Sequence, residues 1–211
     1  MASKLPKPFS PNAPVNQPCA IVSDIHGNLV ALEAVLQDIA RIGVKEVWCL
    51  GDIVGYGPQP LECWRLAKET CSIIIKGNHE NALLPGGGER FNPRARPAID
   101  WTREALTAAG SGILEEIAQL PLQFTRKGIL FVHASPRDPI EEYLMPKDAR
   151  NPGKMQAQFE RIQQYVFVGH AQVLQFGQAG RQQAVAHVGI EARLDDADAQ
   201  GGEDAGFGAG V

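Results

Sequence analysis

With 211 residues, 44% of them apolar, the chain is long enough for one α/β domain with a buried core and too short for two comfortable ones. A formal charge of −4 gives no general basic surface, which excludes nonspecific attraction to nucleic acid or an anionic membrane as an organising principle. Cysteines at positions 19, 49, 63 and 71 are spaced neither as a paired zinc motif nor as a secreted disulfide framework, so they read as free thiols of a cytoplasmic protein.

Residues 1–18 contain five prolines and no apolar stretch of signal-peptide length, and read as a flexible leader. Cys19 to Ser23 is a short apolar run, followed by the polar patch Asp24-Ile25-His26 and then by Leu29, Leu32, Val35, Leu36 and Ile39 at helical spacing. Gly43 ends that helix, Glu46 to Leu50 is a second strand, and Gly51-Asp52-Ile53-Val54-Gly55 stands where it finishes. Pro60 to Lys68 is a helix opened by proline, and Cys71 to Ile75 a third strand running into Gly77-Asn78-His79-Glu80. Strands alternating with helices imply parallel pairing, and loops beyond the carboxyl ends of parallel strands converge on one sheet edge.

The stretch from Pro85 to Arg96 is rich in glycine, proline and arginine and reads as a loop; Pro97 to Ala109 and Gly112 to Leu120 read as helices positioned to cap the site. Apolar runs at Gly128 to Val132 and Tyr165 to Val168 end at His133 and at Gly169-His170-Ala171-Gln172. Between them lie a loop over 136–152 and a helix from Gly153 to Gln164. The organisation is thus a leader over 1–18, a catalytic domain over 19–175, and an atypical, weakly structured segment over 176–211 whose acidic, glycine-rich composition buries little surface. Gly86 to Gly88 lacks the lysine and hydroxyl of a phosphate-binding loop, His187 has no partner motif, and Arg94, Arg96, Arg103 and Arg137 are guanidinium groups that could reach a phosphate.

In order and chemistry, the five patches resemble the calcineurin-like metallophosphoesterase family, over roughly Cys19 to Gln172, and are most similar to its compact bacterial and archaeal phosphodiesterase or serine/threonine phosphatase-like members. The resemblance implies a layered α/β fold, a β-sandwich flanked by helices. It implies metal-dependent hydrolysis of phosphoric esters, diester or monoester, by water activated between two divalent ions (Mn, Fe, Ni or Zn). Carried over by position, Asp24 and His26 bind the first ion, Asp52 bridges both, and Asn78, His133 and His170 bind the second. Asn78 also contacts substrate, and His79 assists the leaving group. The family finishes the first ion's shell with a histidine where this chain has Gln172, a neutral and weaker ligand. It also continues with further strands of a second sheet, which this tail leaves open to being incomplete, as in a truncated or frame-shifted end. These departures motivate an alternative: a catalytically impaired fold serving as a protein-interaction or regulatory binding module. The expected partner is a phosphoester substrate, without a nucleic-acid surface or a membrane, and with no expectation of oligomeric state.

Overall fold

The computed structural model describes residues 18–89, 91–110, 112–170 and 175–178. In chain order the elements are β1 (Cys19–Val22), α1 (Leu29–Arg41), β2 (Glu46–Cys49), α2 (Pro60–Thr70), β3 (Ile73–Ile74), α3 (Asn78–Leu83), α4 (Arg96–Ala108), α5 (Ile113–Ala118), β4 (Gln123–Arg126) and β5 (Ile129–Val132). A 3-10 turn (Pro146–Arg150), α6 (Pro152–Phe159), β6 (Tyr165–Val168) and β7 (Gln175–Gln178) follow.

Strands β1, β2 and β3 form a parallel sheet in that order, and β4 to β7 a second sheet, with only the β5–β6 pair parallel. Alternation along the strands sets the layers, because successive side chains leave a strand on opposite faces. Ala20, Val22, Val47 and Cys49 face one way and join Leu32, Ile39, Trp64, Ile99, Leu106 and Ile117 of the helices. Cys19, Ile21, Trp48, Leu50 and Ile75 face the other way and meet Ile129, Phe131 and Phe167 of the second sheet. The result is the expected sandwich, with helices on the outer face of the first sheet.

Several elements differ from expectation. Buried Ile99, Leu106 and Ile117 put α4 and α5 into the helical core layer, not over the site as a cap. The strand expected over 71–75 is two residues long because Cys71 still closes α2 through its N–H to Ala67, although Ser72 and Ile75 continue the hydrogen bonding to Val47 and Cys49. Helix α6 stops at Phe159, short of Gln164. Strand β4 was not anticipated: of its four residues Phe124 is the apolar one, stacked on Phe131 at 4.4 Å. Its hairpin to β5 turns at Lys127 and Gly128, both with positive φ (51° and 74°), as the favoured two-residue hairpin turn requires. Strand β7 crosses the boundary expected at 175. The leader, the tail beyond 178 and Gln172 lie outside the described residues.

Candidate metal centre

The loops after β1 and β2 run side by side beyond the strands. Asp24 N–H donates to Gly51 (3.1 Å), His26 N–H to Asp52 (2.9 Å) and Gly27 N–H to Ile53 (2.8 Å), so the ladder of the sheet continues into the motifs. The backbone pays locally: Asp24, His26, Asp52 and His170 all sit at positive φ, between 51° and 63°, where a non-glycine residue is disfavoured by roughly 1 kcal/mol or more. The third loop closes against the second. A Cβ on Gly77 would stand 2.1 Å from Asp52 Oδ1, so only glycine lets this loop approach. Asp52 Oδ1 then accepts the His79 N–H at 2.9 Å.

The other carboxylate oxygen, Asp52 Oδ2, lies 3.8 Å from His26 Nε2 and 3.4 Å from His133 Nε2. His133 comes off β5, and its Nδ1 donates to the Leu50 carbonyl at 2.7 Å, which fixes the tautomer and directs Nε2 inward. That Nε2 stands 3.0 Å from Asn78 Oδ1 and 3.0 Å from His170 Nδ1. His170, off β6, is anchored by its N–H to Asp24 Oδ2 at 3.0 Å. Two groups result, His26 with Asp52 and His79, and Asp52 with His133 and His170, each with donor atoms within 4.8 Å of one another. Asp24 Oδ1 is 3.9 Å from His26 Nε2, at the edge of the first group.

All seven described residues singled out from the sequence therefore meet in one cluster, and the parallel β5–β6 pair brings the last two histidines to the edge where the first sheet delivers its loops. The sequence model of the calcineurin-like phosphoesterase family matches residues 18–196. This chain belongs to the calcineurin-like phosphoesterase family. An uncharacterized protein of Methanocaldococcus jannaschii is 37% identical over 161 residues, 73% of this chain and 62% of the relative. The crystal structure of a metallophosphoesterase from Sphaerobacter thermophilus is similar with a TM-score of 0.61 and 40% identity, over 74% of this chain and 61% of that one. The chain thus spans about three fifths of the length of these two relatives. A symmetrical bis(5'-nucleosyl)-tetraphosphatase of Pectobacterium carotovorum is 33% identical over 81 residues, 36% of this chain and 29% of its own length.

The family uses divalent metals, and the donor set fits them. Imidazole nitrogens, two carboxylates and an amide oxygen are the ligands of mixed nitrogen and oxygen coordination. They converge within hydrogen-bonding distance, His133 Nε2 on Asn78 Oδ1 and His170 Nδ1, so a cation could take the place of the proton they share. Among the described residues the ring nitrogens His79 Nδ1 and His170 Nε2 are buried without a hydrogen-bond partner.

Electrostatics follow the same pattern. Burial opposes the charge of His133, but Asp52 and then Asp24 overcome it and lift its pKa to about 9. Burial also opposes ionisation of Asp52, yet His133, His79 and His26 hold its carboxyl well below the usual range. Asp24 is pushed up by burial and by Asp52. His79 falls to about 4 through burial, against the pull of Asp52, and His170 to about 4 through burial and His133.

Glu80 has a larger part than the sequence suggested. Its fully buried carboxylate accepts N–H bonds from Asp52 (2.7 Å), Ile53 (2.8 Å), Val54 (3.2 Å) and Gly77 (2.9 Å). It ties the second loop to the third. The spacing Gly77-x-x-Glu80 announces the bond back to Gly77, as in a capping box, but not the three across the loop. Of the arginines, Arg103 binds the Ala82 and Leu83 carbonyls and Asp100, and Arg137 binds Glu142, so both are committed elsewhere. Arg96 and Arg103 line a separate cavity with Leu83 and Leu114 at the far end of α3. The four thiols are free, and burial pushes Cys19 up to about 12, Cys63 to about 11 and Cys71 to about 12, which leaves them unreactive. Among the described residues no helix is long and apolar enough to cross a membrane.

Proposed function

We propose that this chain hydrolyses phosphoric esters at a centre of two divalent ions, held by Asp24, His26, Asp52, Asn78, His133 and His170, with Gln172 completing the set from the sequence alone. The observation that carries this reading is the pair of donor groups sharing Asp52. When bound, such ions supply Lewis-acid stabilisation of the phosphoryl oxygens and a water-derived nucleophile at neutral pH.

The residues do the rest. Asp52 keeps its negative charge throughout the physiological range because the surrounding histidines depress its pKa. His133 is locked by Leu50 with Nε2 inward, so its ring would keep its orientation on binding while Nε2 gives up its proton. Asn78 presents an amide beside the substrate position. His79, with a pKa near 4, is neutral at pH 7 and acts as a ring N–H donor to the leaving oxygen as negative charge grows there. Glu80 holds the Asp52 loop in register and is a positioning residue.

The binding-module alternative gains nothing from the comparisons, whose named relatives include hydrolases. Protein stripped by chelation and reconstituted with manganese, nickel or zinc is expected to hydrolyse bis-p-nitrophenyl phosphate or p-nitrophenyl phosphate, with the activity lost in Asp52→Asn. Absence of metal-dependent turnover with every ion and both esters would overturn the hydrolase reading in favour of the binding module.

A further inference from the structure

Two tyrosines at the cluster remain without a task. Tyr56 is 55% exposed and Tyr143 52% exposed, although both rings lie directly against buried or half-buried histidines of the centre. The Tyr56 ring is 5.0 Å from His26 and 4.4 Å from His79, and the Tyr143 ring is 3.7 Å from His170. His26 and His79 belong to one donor group and His170 to the other, so each half of the centre carries one tyrosine at its outer edge.

These rings are held, not draped over the surface. Tyr56 occupies a left-handed conformation (φ 51°), and the next residue, Gly57, donates its N–H to the His26 carbonyl at 2.8 Å. His79, against which Tyr56 packs, is itself met edge-on by Phe91 at 5.0 Å. Tyr143 follows Glu142, which accepts from Ser135 (2.6 Å), Gln158 (2.7 Å) and Arg137, while the Tyr143 carbonyl accepts from Lys154 at 2.8 Å. Each ring has one side against a histidine and another in water. Exposed tyrosine is a low-entropy stacking surface for a planar ring.

We propose that Tyr56 and Tyr143 form a stacking rim for a planar aromatic group, so that the preferred substrates are phosphoesters whose alcohol side carries a ring of nucleobase type. This rests on the hydrolase reading above. The same rings could instead serve through their hydroxyls, and replacement by phenylalanine separates the two roles.

The test compares substrates that differ only in the ring: adenosine 5'-monophosphate with ribose 5-phosphate, and a thymidine dinucleotide with the same diester of base-free deoxyribose, on the metal-reconstituted protein. Wild type is expected to show a KM roughly 10-fold lower for the ring-bearing member of a pair, within the range that base stacking on an aromatic side chain supplies. Tyr56→Leu and Tyr143→Leu should erase most of that difference in KM, while Tyr56→Phe and Tyr143→Phe keep it. Both side chains are over half exposed, so folding is expected to survive, and circular dichroism checks it. Turnover of both members with equal KM would overturn the rim and leave the hydrolase reading standing. Loss of the difference in the phenylalanine variants would also overturn it, in favour of hydroxyl contacts. No turnover of either pair, or of the p-nitrophenyl esters, would overturn the hydrolase reading and the rim together.

Discussion

Asp24, His26, Asp52, Asn78 and His79 belong to the motifs that follow β1, β2 and β3, whereas His133 and His170 come straight off the ends of β5 and β6, and the two halves are secured by different means. The first half is fixed by its own backbone: loop bonds loop, Gly77 presses on Asp52, and Glu80 gathers four N–H groups. The second half has one backbone tie, Gly169 N–H to the His133 carbonyl at 2.9 Å, and otherwise relies on contacts that each involve a side chain: His133 on the Leu50 carbonyl, Asp24 on the His170 N–H, and the Glu142, Ser135 and Gln158 hub beside them. A site assembled this way should be brittle on one side and forgiving on the other.

The largest effect is expected at Asp52, which both halves share. Asp52→Asn should lower kcat/KM by about 10³-fold or more, since it removes the shared charge while leaving an oxygen to accept the His79 N–H, and steady-state kinetics with chemical denaturation will separate activity from fold. A pair of glycines then compares the halves directly. Gly77→Ala puts a Cβ against Asp52 in the packed backbone and should cost roughly 1–3 kcal/mol in urea unfolding. Gly169→Ala meets the Ser23 hydroxyl at 2.2 Å, a group that can rotate away, and should cost less than about 1 kcal/mol. Equal costs would break the comparison.

Carboxylates offer a smaller version of the same contrast. Glu80→Gln turns donors of its own toward buried N–H groups and should destabilise by roughly 1–3 kcal/mol, the cost of buried donors left unpaired. Glu142→Gln, whose carboxylate is 12% exposed and counts the exposed Arg137 among its donors, should cost roughly 0.5–1.5 kcal/mol. Both are read from denaturation midpoints.

The mildest effects near neutrality come from pH on metal-free protein. His79 and His170 have folded pKa values near 4, below the ordinary 6.5, so their stability is present above 6.5 and lost as pH falls toward 4, where the unfolded chain takes up protons first. His133, raised to about 9, behaves oppositely: its contribution is full below 6.5 and fades as pH rises through 9. Glu80, raised to about 7 by burial and then by Asp52, adds a loss of stability as pH rises from 4.5 through 7, so thermal midpoints should fall on the acid side through His79 and His170 and on the alkaline side through Glu80 and His133, and His133→Gln should flatten the part of that alkaline limb above pH 7.

Much of this was legible in the chain because the chemistry sits where apolar runs end. The polar patches at Asp24, Asp52 and Asn78 are separated by strand and helix patterns that dictate parallel pairing, and parallel pairing dictates a shared edge. His133 and His170 were legible by the same rule, each at the end of an apolar run. Strand β4 was hidden because its two inward positions are Phe124 and Arg126, so the alternation in burial is not one of apolar and polar residue types; the Lys127-Gly128 turn was its one signal. The reach of Glu80 was hidden because three of its partners lie 26 to 28 residues away, and no local pattern encodes contacts across two loops. The tyrosines were passed over because an isolated Tyr56 or Tyr143 carries no motif, and their meaning arises only from the histidines beside them.

The proposed pair of divalent ions, held by these distant side chains through one shared carboxylate, can be counted. Metal analysis of protein reconstituted with manganese or zinc and freed of excess ion tests it directly. Two ions per wild-type chain and fewer than one in Asp52→Asn are expected; a wild-type chain without bound metal, or an Asp52→Asn chain that binds as many ions as wild type, would rule out the shared-carboxylate centre.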